Sequence, residues 1–287
     1  MAAMRGRPSQ TASAVGVMRA LAHEGFTSAQ GFSDGVVGSL LSPGWRAAHR
    51  LAARGLERAR PSVRARAIAR IDLLPLRVLA IDAELERAVA AGCRQLVILG
   101  AGLDTRAFRL ASLSSVDVFE VDHPATQAYK KERTAGVRPL ARSLAFVGVD
   151  FERDVIGDRL RAAGHREGEP TVWIWEGVIM YLTDAALRAT LAAIAGASAP
   201  GSELLATYHE PGVRRLPQRL LLALWGEPHI GRRPVATMHA EVARAGFEVV
   251  RDTRPDAWAR SFGARPPSGE AAGVNHLLVA RRPAAGS

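Results

Sequence analysis

A glycine turn and the acids that follow it are the part of this sequence best equipped for chemistry. The turn is Leu99-Gly100-Ala101-Gly102-Leu103-Asp104, and it follows the apolar run Gln95 to Leu99. A Gly-x-Gly turn at the end of a buried strand lets backbone pass close to a ligand. The next apolar runs end in Glu120-Val121-Asp122, in Asp150 and in Glu176. In an open parallel sheet the strand ends meet at one crevice, so three successive strands deliver carboxylates to one place. Carboxylates accept hydrogen bonds and attract cations, whereas a diphosphate asks for the opposite sign. The third glycine of a dinucleotide fingerprint is also missing, because that position holds Thr105.

The ligand such a site fits carries hydrogen-bond donors and a positive charge. S-adenosylmethionine offers both, through its ribose diol, adenine amino group, α-ammonium and sulfonium. Its single carboxylate needs donors, and the N–H groups of Gly100, Ala101 and Gly102, or the guanidinium of Arg77, can supply them. An acid roughly 20 residues beyond the turn meets the ribose in nucleotide folds, which selects Asp122 and Glu120. Asp150 is the candidate for the adenine edge, Glu176 for the amino group and sulfonium, and Asp104 lies in the turn itself. No metal is expected.

These residues need strands to carry them. Gln95 to Leu99, Val116 to Val121, Leu144 to Val149, Val172 to Trp175 and Glu203 to Tyr208 are short apolar runs bounded by turn residues, which reads as buried strands. Helical stretches over 124–133, 152–163 and 184–197 alternate with them. That alternation predicts an α/β fold with a parallel sheet covered on both faces. Ahead of the sheet lie predicted helices over 13–24 (with Ser13 as a cap), 45–59 and 63–71. Pro75 interrupts the pattern before a helix from Leu76 to Ala91. After the fifth strand come an apolar helical stretch, Leu216 to Trp225, that suits a lid or a dimer contact, a helix from Thr237 to Ala245, and strands over 247–252 and 275–281. A Pro- and Gly-bearing linker, beginning at Pro255, separates that last pair. The expected organisation is one domain: an N-terminal cap over 1–75, a cofactor core over 76–209, a substrate segment over 210–236 and a C-terminal unit over 237–287.

Composition narrows the class. The chain has 287 residues, a net charge of +10 and one cysteine, Cys93. No intramolecular disulfide can form, which fits a reducing cytosol. The basic excess is almost wholly arginine, as Lys130 and Lys131 are the only lysines. The arginines are spread along the chain with no run of five or more. Such scatter reads as a solvated surface, so nucleic acid is not expected as a partner; nor is a membrane, for want of a spanning segment. No apolar stretch approaches the ~18 residues of a spanning helix. A cytoplasmic protein with a small-molecule acceptor is expected, with the oligomeric state left open.

Four segments together resemble the leucine carboxyl methyltransferase family: Leu96 to Leu110 (LVILGAGLDTRAFRL), Phe119 to Pro124 (FEVDHP), Val147 to Phe151 (VGVDF) and Trp175 to Leu182 (WEGVIMYL). Shorter echoes occur at Arg19-Ala20, Arg77, Gly226-Glu227-Pro228 and Ala245-Gly246-Phe247. The resemblance implies a Rossmann-like seven-stranded methyltransferase sheet with its last pair antiparallel, helices on both faces and an N-terminal helical cap. It implies that Gly100, Asp122, Asp150, Phe151 and Glu176 contact S-adenosylmethionine, with S-adenosylhomocysteine as product. Arg77, and Arg19 from the cap, would hold the cofactor's carboxylate, and Tyr181 would face the methyl group. His209, after the fifth strand, is the candidate base, and Trp173, Trp175 and Trp225 are candidates for lining an apolar acceptor pocket. The expected activity is O-methylation of a carboxylate or hydroxyl on a small molecule, a secondary metabolite above all. Its rivals are methylation of a protein C-terminal carboxyl and cofactor binding without catalysis.

Overall fold

A computed structural model describes residues 9–150, 154–212, 230–267 and 273–284. The apolar runs form β1 (Gln95–Leu99), β2 (Asp117–Asp122), β3 (Ser143–Gly148), β4 (Thr171–Trp175), β5 (Glu203–His209), β6 (Glu248–Thr253) and β7 (Asn275–Arg281). They build one seven-stranded sheet in the order β3-β2-β1-β4-β5-β7-β6. The first five strands are parallel, and β7 inserts antiparallel between β5 and β6. The residues of β1, β4 and β5 are buried throughout, as a parallel sheet covered on both faces requires. The edge strands β3 and β6 are the more exposed ones.

The helices are α1 (Gln10–His23), α2 (Val37–Leu40), α3 (Pro43–Arg58), α4 (Pro61–Ile71), α5 (Leu73–Ala90), α6 (Arg106–Arg109), α7 (Pro124–Thr134), α8 (Ile156–Ala162), α9 (Asp184–Gly196), α10 (Val235–Arg244) and α11 (Pro255–Ser261). Alternate strand residues go to opposite faces. Val97, Leu99, Trp173 and Trp175 pack under α8, α9 and α10. Leu96, Ile98, Val172 and Ile174 pack against α5 and α11. Trp173 and Trp175 are therefore core residues.

Helices α1 to α4 form the cap. Leu21 and Ala22 of α1 pack with Phe26, Ala53 of α3 and Ile71 of α4. The cap joins the core at Asp72, a fully buried acid between α4 and α5. Its Oδ1 accepts the Ser28 N–H at 2.9 Å, and its Oδ2 accepts the Ser28 hydroxyl at 2.6 Å.

Three local expectations are corrected. Helix α1 starts earlier than Ser13, capped by Ser9, whose Oγ accepts the Ala12 N–H at 2.9 Å. Pro75 does not interrupt α5 but lies in its first turn, where no intrahelical N–H partner is lost. The stretch after Pro255 is a helix rather than a linker: Pro255 takes a first-turn position, and Trp258 is buried against the α5 side of the core. Phe151 and the stretch Leu216 to Trp225 lie outside the described residues.

One buried pair has a pH consequence. Glu120 on β2 is 1% exposed, its Oε2 meets Lys130 Nζ at 2.5 Å, and its Oε1 has no hydrogen-bond partner among the described residues. Burial raises its pKa to about 7 against the opposing pull of Lys130. A carboxyl with a raised folded pKa contributes stability that is complete below its unfolded pKa, about 4.3, and is lost as pH rises through about 7. Urea unfolding at pH 5 and pH 8 should therefore show a larger loss in the wild type than in the Glu120→Gln, Lys130→Met double variant. Equal losses would show that Glu120 is ionised across that range.

Candidate functional site

The glycine turn is fixed by close approach. Gly100 and Gly102 have φ of +64° and +46°, in the left-handed region that favours glycine. A Cβ on Gly100 would lie 2.6 Å from Val178 Cγ2, so the turn is packed tightly against the segment after β4. The N–H groups of Gly100 and Ala101 donate to the Val121 carbonyl at 2.8 and 3.1 Å. Gly102 N–H donates to Asp122 Oδ2 at 2.6 Å, and His123 N–H to Oδ1 at 2.6 Å. Asp122 thus sits at the end of β2 against the turn, held by two backbone donors and with no ion pair among the described residues. Burial raises its pKa against those hydrogen bonds. Asp150 lies beyond the neighbouring strand end, where Val149 N–H donates to the Asp122 carbonyl at 3.0 Å.

The turn then delivers Arg106, a residue that the sequence reading did not single out. Its side chain is 2% exposed and binds three carboxylates. Nε meets Asp82 Oδ1 at 2.7 Å, Nη2 meets Glu176 Oε2 at 3.0 Å, and Nη1 pairs with Asp104. The Arg106 N–H also donates to Asp104 Oδ1 at 2.7 Å. Arg77 completes the cluster, with Nε at 2.8 Å from Glu176 Oε1 and no hydrogen bond from its Nη atoms among the described residues. Burial works against ionisation of both acids, but the arginines prevail. Arg106, Lys130 and Arg19 hold Asp104 down at about 2, and Arg77 and Arg106 lower Glu176.

The cap reaches the same place. Arg19 of α1 donates to the Leu103 carbonyl at 3.0 Å and to Thr105 Oγ1 at 2.7 Å, and pairs with Asp34. Its Nε is buried with no acceptor among the described residues.

On the other side of Glu176, a 3-10 turn (Ile179–Tyr181) carries Tyr181, and His209 ends β5. His209 is 8% exposed, with Nε2 at 2.8 Å from Asn275 Oδ1. An amide oxygen only accepts, so Nε2 carries the proton and Nδ1 is the basic nitrogen. Arg233 ties the two together. Its N–H donates to the His209 carbonyl at 2.9 Å, and its guanidinium to the carbonyls of Leu182 at 2.9 Å and Gly231 at 2.8 Å and to Asp184 Oδ1 at 3.0 Å. Gly231 N–H meets the Met180 carbonyl at 2.8 Å, and a Cβ there would lie 2.4 Å from the Ile179 carbonyl oxygen.

The structure therefore brings Arg77, Gly100, Ala101, Gly102, Asp104, Asp122 and Glu176 into one connected cluster, with Asp150 beside it and Tyr181 and His209 along one edge. Glu120 lies beneath Asp122 on the same strand, facing Lys130. The residues not foreseen, Arg106, Asp82 and Arg233, are the ones that hold the others. Asp82 carried one sequence signal, as the single acid in the apolar stretch Leu73 to Ala83 of α5.

The arrangement suits S-adenosylmethionine on charge. Apart from the Glu120–Lys130 pair, the acids Asp34, Asp82, Asp104, Asp122 and Glu176 outnumber the arginines among them, Arg19, Arg77, Arg106 and Arg109, and Asp150 adds a further acid beside them. The ligand carries one net positive charge. Asp122 lacks a cationic partner, while the Arg77 Nη atoms are donors suited to a ligand carboxylate.

Sheet order, glycine turn and acidic strand ends match a Rossmann-like methyltransferase fold. Solved structures agree on the fold: a DUF574 family protein of Streptomyces avermitilis has a TM-score of 0.53 at 18% identity, covering 96% of this chain and 98% of that one. A candidate methyltransferase of Thermobifida fusca has a TM-score of 0.52 at 18% identity, covering 97% and 96%. The chain belongs to the leucine carboxyl methyltransferase family, whose model matches residues 12–195. A Frankia alni relative, named as a candidate S-adenosyl-L-methionine-dependent methyltransferase, is 36% identical over 74% of this chain and 73% of its own length. A Streptomyces coelicolor protein of the same description is 42% identical over 46% of this chain, and the match spans only 47% of that relative.

Removing Arg106 leaves three buried carboxylates without their shared cation. Arg106→Met should cost about 3–5 kcal/mol in urea unfolding, and Arg106→Lys should recover only part, because an ammonium cannot fork among three acids. A loss below about 1 kcal/mol, the range of exposed pairs, would show the network to be peripheral.

Proposed function

We propose that the protein is an O-methyltransferase that methylates a carboxylate or hydroxyl oxygen of a small molecule, a secondary metabolite above all. The observation that supports this reading best is the Arg233 link between the Tyr181 turn and the His209 strand end, beyond Glu176 as seen from the glycine turn. It ties the backbone that carries Tyr181 to the backbone that carries His209.

S-adenosylmethionine supplies an electrophilic methyl carbon, attacked in line from the side opposite sulfur. The chain's own residues bind and position. Asp122 takes the ribose diol, and Asp150 and Phe151 the adenine. Glu176 takes the α-ammonium and Arg77 the carboxylate, while Gly100, Ala101 and Gly102, whose N–H groups are taken up by Val121 and Asp122, line the approach with backbone that carries no side chain beyond a methyl. Arg77 and Arg106 keep Glu176 ionised, and Asp104 acts by fixing Arg106 in place. Tyr181 orients the acceptor oxygen. His209 is the base when the acceptor is a hydroxyl, and a carboxylate needs no base. Positioning of this kind accounts for much of a displacement's rate.

The test is release of S-adenosylhomocysteine with a panel of small phenols, alcohols and carboxylic acids. His209→Ala should lower kcat for hydroxyl acceptors about 10²–10⁴-fold and for carboxylates less than about tenfold. Tyr181→Phe should raise KM for both. Turnover confined to peptide C-termini, or to nitrogen acceptors, would contradict the reading.

A further inference from the structure

Read along the chain, the arginines look dispersed; in the fold, a large share of them lies on one hairpin of the cap. Between Pro43 and Ile71, helices α3 and α4 and the link between them carry eight arginines and one acid, Glu57, which accounts for seven of the ten net positive charges. All eight are exposed, and none forms an ion pair among the described residues. Elsewhere exposed arginines do find acids, as Arg142 does with Asp117 and Arg260 with Asp256. Arg46, Arg50, Arg54 and Arg58 recur at every fourth position of α3 and so form a stripe along one side of the helix. The side of α3 next to this stripe is committed to the cap through Ala53, with Ala52 and Leu56 packed beside it. Between the arginines stand two large apolar side chains in water: Leu51, 73% exposed, and Val63, 52% exposed.

We propose that the α3–α4 hairpin is a docking surface for an anionic lipid bilayer. The charge calls for a polyanion, and the exposed leucine and valine choose among polyanions. A phosphate backbone offers them nothing, whereas a lipid interface takes short apolar side chains into the acyl boundary while guanidinium groups stay at the headgroups. Arginine suits that layer because its guanidinium is more weakly hydrated than an ammonium and pairs phosphate through a planar fork. Each basic side chain near an anionic surface strengthens binding about fivefold, so a stripe of four is enough for stable but salt-sensitive contact. The expectation of no membrane partner rested on the lack of a spanning segment, and no described helix is long and apolar enough to cross a membrane. Peripheral contact requires none. Because α1 packs on α3 and carries Arg19 to the glycine turn, docking sets the cap, and not the edge strands, against the lipid. The inference does not depend on which oxygen receives the methyl group.

The experiment is co-sedimentation of the full chain with vesicles of phosphatidylcholine alone and of phosphatidylcholine mixed with phosphatidylglycerol. Binding is expected only to the mixed vesicles and should fall as salt rises. Combined substitution of Arg46, Arg50, Arg54 and Arg58 by Gln should lower the partition coefficient at least about 100-fold, from the per-residue contribution above. Leu51→Ser alone should lower it severalfold at constant charge, and circular dichroism with S-adenosylmethionine titration checks that both variants fold. Failure of the wild type to bind mixed vesicles would overturn the proposal. So would binding insensitive to Leu51, or duplex DNA binding that outcompetes the vesicles, which would point to a nucleic-acid surface.

Discussion

Arg106 is the group on which the arrangement of the site depends. A guanidinium and three carboxylates are each costly to bury alone, and here they are buried together. The three acids come from distant positions: Asp82 from α5, Asp104 from the glycine turn and Glu176 from the end of β4. One side chain therefore registers the helix beneath the sheet, the turn after β1 and the strand beside it. Because its partners are charged and forked, the registration is directional, which apolar packing alone does not give. Arg77 extends the network from the same helix by binding the second oxygen of Glu176.

The rest of the fold supplies what this network requires. Burial of β1, β4 and β5 on both faces makes the centre of the sheet rigid, so carboxylates at its ends are held rather than free to wander. The cap closes from the other side, through Arg19 on the Leu103 carbonyl and Asp72 on Ser28. On the acceptor side the linkage is different in kind. Arg233 there binds mostly carbonyls, so it fixes backbone: the turn of Tyr181 and the strand end of His209. The cofactor side is thus set by charge pairing and the acceptor side by backbone hydrogen bonds.

Much of this was legible in the sequence because strand ends are local features. An apolar run followed by Gly-x-Gly, and three more runs ending in acids, state both the fold and the crevice. All seven strands were legible as short apolar runs, whereas the antiparallel setting of the last pair came from the family motifs and not from periodicity. What the sequence concealed was pairing across the fold. Arg106 reads as one arginine among many, and its partners Asp82 and Glu176 lie 24 and 70 residues away. Arg233 belongs to no motif itself, and its partners are mostly carbonyls, which every residue has. The proline errors share one cause: Pro75 and Pro255 both lie in first turns, where proline starts a helix as readily as elsewhere it stops one. Clustering of the arginines on α3 and α4 was hidden likewise, since a spacing of four leaves no run to notice.

The central claim is that these strand ends form a site for a donor-rich, positively charged nucleoside and not for a dinucleotide diphosphate. Calorimetric titration of the wild type and of Asp122→Ala with S-adenosylmethionine, and separately with NADH, tests it most directly. The account predicts saturable binding of S-adenosylmethionine to the wild type, loss of that binding in Asp122→Ala, and no binding of NADH to either. Folded wild-type protein that ignores S-adenosylmethionine, or that takes up NADH, would contradict it.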